Sequence, residues 1–153
     1  MSTEVDAQLG IIDKFIGDAV MAVFGVPDAQ SNSELSGINC ALSLLDKVKS
    51  WNDYRTQAQQ PEFRITIGVH CGEVFAGAVG TQNRMEFTVL GDTVNIAARL
   101  QEIAKSTISG LVVSQNLLEN SGCFSASSQK WRALAENSVR GRVGRISLYE
   151  YVQ

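Results

Sequence analysis

The sequence predicts one α/β or α+β sandwich, with helices laid on one face of a sheet. Three observations predict it: a β-rich run over residues 11–24 broken at Gly17-Asp18, a helical pattern from Ile38 to Val48, and strict alternation over residues 63–69. Strands that alternate with helices pack as layers around one core. The 153 residues are 44% hydrophobic and 19% charged, which fits one ordered globular domain and rules out an intrinsically disordered chain.

Ile11-Ile12 to Ile16 and residues 19–24 read as two strands of a hairpin, with Pro27 ending the second. Ser31-x-x-Glu34 has the form of a capping box. After it Ile38, Ala41, Leu42, Leu45 and Val48 keep helical spacing, and a polar stretch runs on to Pro61. Phe63, Ile65, Ile67 and Val69 alternate with Arg64, Thr66, Gly68 and His70, as in a strand with one buried face. Glycines at 72, 77 and 80 interrupt the next apolar run, residues 81–84 form a polar excursion, and residues 87–90 read as a short strand. Asp92 can cap a helix reaching about Lys105. A short strand at 111–113, a brief helix at 115–120 and a closing strand at 146–152 complete the pattern.

Thirteen basic and sixteen acidic residues leave a net charge of −3, which argues against general nucleic-acid binding. The charge is uneven: residues 130–145 carry +4, the rest −7, so the basic segment is either a solvated face or a grip for a polyanionic ligand. The longest apolar run, residues 19–24, is far too short to span a bilayer, and no signal-peptide pattern opens the sequence. Cys40, Cys71 and Cys123 are odd in number and scattered, as expected of reduced thiols in a cytoplasmic domain.

Two segments carry candidate chemistry. In DKFIGDAVMAVFG, residues 13–25, Asp18 sits at the hairpin turn, where a carboxylate either binds a hard cation or caps the turn. Lys14 shares a strand face with Ile12 and Ile16, as an edge snorkeler or as a polar reader inside a pocket. In MEFTVLGDTVNIAARL, residues 85–100, Asn95 and Arg99 lie one helical turn apart. They are either an oxyanion clamp or part of a solvated face with an Arg99–Glu102 pair. His70, the sole histidine, reads as structural, and Cys71 as a small buried hydrophobe. No P-loop and no Rossmann glycine fingerprint is present.

These two segments, with GVHCGEVFAGAVG (68–80) and VRGRVGRISLYEY (139–151), stand in an order and spacing that resemble the class III adenylyl and guanylyl cyclases, bacterial-type adenylyl cyclases above all. The resemblance runs from about residue 9 to the end. It implies a ferredoxin-like βαββαβ core with helices on one side of the sheet, paired head to tail with a second cyclase domain, a homodimer, around active sites in the cleft. It implies an enzyme that converts ATP to 3′,5′-cyclic AMP and pyrophosphate with two divalent cations, Mg²⁺ or Mn²⁺. By the same resemblance Asp18 is a metal ligand, Asn95 orients the ribose, and Arg99 meets the α-phosphate. Arg140 or Arg142 meets the terminal phosphates. Lys14 and Thr88 read the base. Lys14 only donates, which suits adenine N1, and the Thr88 hydroxyl can accept from N6 but can also donate. A guanylyl cyclase and an inactive cyclase-homology dimerisation module are the alternatives.

The resemblance also implies an earlier strand, carrying a Phe-x-Asp-like motif and the first metal aspartate, further upstream of Asp18 than this sequence reaches. Glu4 and Asp6 read instead as the end of the preceding helix. Residues 1–153 are thus expected to form one catalytic domain lacking a central strand. The sheet would then show two open inner edges, and this chain by itself would be inactive.

Overall fold

The computed structural model describes residues 1–27, 31–81, 84–126, 130–141 and 144–152. At its centre lies a four-stranded sheet in the order β3 (Ile67–Val69), β6 (Leu111–Ser114), β8 (Gly144–Tyr151), β7 (Trp131–Gly141). β3 and β6 run parallel, and the other neighbours are antiparallel. β6 is buried at all four positions, the signature of a strand covered on both faces. Leu111 and Val113 pack with Ile38, Ala41 and Leu45 of α2 (Ser33–Gln57) and with Leu117 and Leu118 of α4 (Gln115–Asn120). Val112 and Leu148 pack on the other face with Ile96, Leu100 and Ala104 of α3 (Asp92–Ala104). Helices therefore cover both faces of this sheet, not the one face expected from the sequence, because residues 111–113 are apolar in both directions.

Two hairpins stand apart from that sheet. β1 (Ile11–Ile16) pairs with β2 (Ala19–Val23), and β4 (Phe75–Thr81) pairs with β5 (Arg84–Leu90). The first turns at Gly17-Asp18 as expected, with Gly17 at φ +63°, a conformation glycine adopts without strain. Among the described residues β2 pairs only with β1, and β3 only with β6. Both lie over α2: a Cβ on Gly37 would sit 3.5 Å from Phe24, just past β2, and 3.5 Å from Val69 of β3. α1 (Ser2–Ala7) is a short helix that holds Glu4 and Asp6, both expected to be helical. It docks on α2 through Glu4, which pairs with Lys47 at 2.6 Å and accepts the Ser43 hydroxyl. Lys47 and Ser43 hold the Glu4 carboxyl below the usual carboxylate range.

Several local expectations change. The capping box does not form: α2 starts at Ser33 behind Asn32 in the left-handed region, and Ser33 donates to Glu34 at 3.1 Å. Asp92 is the first residue of α3, after Gly91 at the cap position. The strand foreseen over 63–69 pairs only at Ile67–Val69. Phe63 instead exchanges backbone hydrogen bonds with the Asn52 side chain and stacks edge-on against Trp51 at 4.5 Å. β5 is longer than the strand foreseen at 87–90, and β7 was not foreseen at all.

Two contacts fix α3 against the sheet. Arg64 reaches over the helix C-terminus and donates to the carbonyls of Ala104 and Lys105 at 3.3 Å and to that of Thr107, which satisfies orphan acceptors and complements the helix dipole. Gly68 lets β3 touch the helix backbone itself. A Cβ there would lie 2.3 Å from the Gln101 nitrogen and 2.4 Å from the Ala97 oxygen. Because neither backbone atom can rotate away, Gly68→Ala is expected to destabilise the chain by about 2 kcal/mol or more. A urea midpoint unchanged in that variant would contradict the close approach.

Candidate functional site

The register of β1 slips between Ile12, opposite Ala22, and Lys14, opposite Met21. Asp13 is the extra residue of this β-bulge. Regular strand neighbours point to opposite faces, yet Asp13 and Lys14 form an ion pair at 3.3 Å. The bulge brings them to one side and takes Lys14 off the face it was expected to share with Ile12. The Asp13 side chain is 3% exposed, that of Lys14 40%. The same carboxylate oxygen, Oδ2, accepts the hydroxyl of Thr88 from β5 at 3.0 Å. The structure thus gathers Lys14 and Thr88, assigned to one task by resemblance, around a residue that sequence reasoning passed over. The available signal was an acidic side chain inside the apolar run Ile11–Ile16.

β5 leads through Gly91 directly into α3. Burial of Ile96, Leu100 and Ala104 against the sheet turns Asn95 and Arg99 to the exposed side of the helix, one turn apart. An open depression of about 320 Å³ lies at this helix start, lined by Val89, Leu90, Gly91, Asp92, Val94 and Asn95. Asp18 is exposed at the tip of the first hairpin. Arg140 stands opposite Arg145 in the β7–β8 ladder, and Arg142 lies outside the described residues.

Among the described residues no three His, Cys, Asp or Glu side chains converge as a metal-ligand set. Asp18 offers a hard cation a single carboxylate, so its other ligands would have to come from water, nucleotide phosphates or another chain. All three cysteines are free thiols, and burial pushes those of Cys40 and Cys71 up. Among the described residues no helix is long and apolar enough to cross a membrane.

His70 is structural, as read from the sequence. Its Nδ1 lies 2.8 Å from the hydroxyl of buried Ser114, across the ends of β3 and β6. Burial lowers its pKa from the ordinary 6.5, and Asp92 partly opposes the shift. Below pH 6.5 the unfolded chain takes up a proton that the folded chain resists. This part of the stability is therefore present above that pH and lost as pH falls through the lower folded value. The Glu4 contribution is lost only at more acid pH, below 4.5. The urea midpoint is expected to fall between pH 7.5 and pH 5.5, and to fall less in His70→Gln. An equal fall in both proteins would contradict the assignment.

Residues 10–149 match the adenylate and guanylate cyclase catalytic domain, and the chain belongs to that family. Over 150 residues, 98% of this chain and 25% of the relative, it is 37% identical to an uncharacterized protein of Mycobacterium tuberculosis. Over 156 residues, 99% of this chain and 22% of the relative, it is 33% identical to adenylate cyclase 1 of Rhizobium meliloti. The chain thus spans about a quarter of the length of these curated relatives. The crystal structure of the adenylyl cyclase CyaB from P. aeruginosa matches with a TM-score of 0.80 at 24% identity, covering 99% of this chain and 76% of that one. That likeness establishes the α+β fold of the family's catalytic domain.

Proposed function

We propose that residues 1–153 belong to one adenylyl cyclase domain, which turns ATP into 3′,5′-cyclic AMP and pyrophosphate in a cleft shared by two copies paired head to tail. The observation that carries this is the meeting of Lys14 and Thr88 at Asp13, a lysine donor beside a hydroxyl. Adenine presents an acceptor at N1 and a donor at its 6-amino group, and that pair answers both. Guanine presents a donor at N1, which an ammonium repels.

In this proposal Asn95 orients the ribose and the Arg99 guanidinium meets the α-phosphate, where charge builds as the 3′-oxygen bonds to phosphorus. The bond from phosphorus to the pyrophosphate oxygen breaks, and the hydroxyl proton leaves to solvent. Arg140 or Arg142 receives the terminal phosphates. Asp18 would hold divalent cations, two per site, Mg²⁺ or Mn²⁺, which when bound supply positive charge at the phosphates and the attacking oxygen. Its single carboxylate supports a site completed by further ligands, so the 153-residue chain alone is expected to bind nucleotide weakly and turn it over negligibly.

Pairing is supported by exposed apolar side chains on the two hairpins: Phe15 and Ile16 on the first, and Phe75, Met85, Phe87 and Leu90 on the second. Such clusters usually mark contact surfaces. A second reading is a pairing module without turnover, which the same exposed hairpin side chains would serve.

The test is cyclic nucleotide formation by the gene product that carries this domain. With ATP, Arg99→Ala is expected to lower kcat on the order of 10²–10³-fold. Lys14→Glu, which sets an acceptor against N1, is expected to lower kcat/KM for ATP about tenfold or more. Near-normal turnover in Arg99→Ala would remove the phosphate assignment. An unchanged ATP-over-GTP preference in Lys14→Glu would show that Lys14 does not read the base. No cyclic nucleotide from either substrate would favour the pairing module.

A further inference from the structure

We propose that Asp13 is a positioning residue that sets base selection by fixing which way the Thr88 hydroxyl points; this rests on the reading of Lys14 and Thr88 as the base-recognition pair. A threonine hydroxyl has one proton and two lone pairs, and a free rotor can meet either a donor or an acceptor. At this site the rotor is not free. The Asp13 carboxylate, charged in its ion pair with Lys14, can only accept. It lies 3.0 Å from the Thr88 oxygen, so the hydroxyl proton is committed to Asp13.

Burial keeps that commitment. Asp13 is 3% exposed at its side chain and Thr88 is 6% exposed, so little water competes for the proton. What Thr88 offers a ligand is then lone pairs alone. The 6-amino group of adenine donates to them. The 6-keto oxygen of guanine faces them lone pair to lone pair, beside a lysine that already opposes guanine N1. Asp13 thus removes the donor option that a lone threonine leaves open, and it holds the lysine at the same time. The β-bulge is what makes this possible, because it turns Asp13 to the side of Lys14 and toward β5.

The experiment measures ATP and GTP affinities of the gene product that carries this domain, in Mg²⁺, by competition with a fluorescent ATP analogue. Four proteins are compared: the wild type, Asp13→Ala, Thr88→Val and the double variant. The wild type is expected to prefer ATP. Asp13→Ala frees the Thr88 proton to meet guanine O6, and the preference should shrink by about ten- to a hundredfold, the usual weight of one mispaired buried hydrogen bond. In the Thr88→Val background Asp13→Ala should change the ratio much less, because the hydroxyl that it orients is already gone and only its hold on Lys14 remains to be lost. If Asp13→Ala fails to fold by circular dichroism, Asp13→Asn takes its place. Its amide can donate to the Thr88 oxygen and turn the hydroxyl proton to the base, so the same loss is expected. An ATP-selective wild type whose selectivity survives in the folded Asp13 variant overturns the role of Asp13 alone. So does an Asp13 effect that is undiminished without the Thr88 hydroxyl. A wild type that binds neither nucleotide, or both equally, overturns the ATP assignment and the proposal with it.

Discussion

One buried carboxylate joins parts of this fold that the backbone leaves separate. No ladder hydrogen bond connects the β1–β2 hairpin to the β4–β5 hairpin among the described residues. Asp13 spans the two, taking the Thr88 hydroxyl from one and holding Lys14 on the other. A buried carboxylate is costly unless it is paired and hydrogen-bonded, and here one oxygen meets both needs. The relative placement of the two hairpins, and with it the geometry of the proposed base site, depends on that contact.

The rest of the site stands on the rigid part of the molecule. β6 is buried on both faces, and α3 is pinned to the sheet by its apolar side, by the backbone contact at Gly68 and by the Arg64 cap. Asn95 and Arg99 are exposed because Ile96 and Leu100 are not. The proposed base-recognition pair thus lies on two hairpins tied by side chains, and the proposed ribose and phosphate contacts on a helix tied by its backbone.

Legibility in the sequence followed locality. The turn at Gly17-Asp18 and the short helix Gln115–Asn120 are set by neighbouring residues, and both formed where expected. The capping box failed because Asn32 takes a left-handed conformation that shifts the helix start past Ser31. β7 was hidden because its register to β8 slips between Ala133 and Ser138, so no period of two survives along it. Asp13 was hidden for the same kind of reason. A bulge breaks the alternation on which strand faces are assigned, and the partner oxygen lies 75 residues away. The helices on both sheet faces left a trace in the unbroken run Leu111–Ser114, but four residues are too few to separate a doubly covered strand from a half-buried one. The proposed roles of Lys14, Asp18, Asn95 and Arg99 came from motif order, which no local rule supplies.

In the proposed head-to-tail pair each working site would take Asp18 from one chain and Arg99 from the other. Complementation tests this most directly. Asp18→Ala and Arg99→Ala forms of the gene product are each assayed for cyclic AMP, then mixed in equal amounts. Each alone should be inactive, and the mixture should regain roughly a quarter of wild-type turnover, as random pairing of a symmetric dimer gives one intact site in half the pairs. A mixture as inactive as its parents, with dimers present by sedimentation, would contradict a shared site.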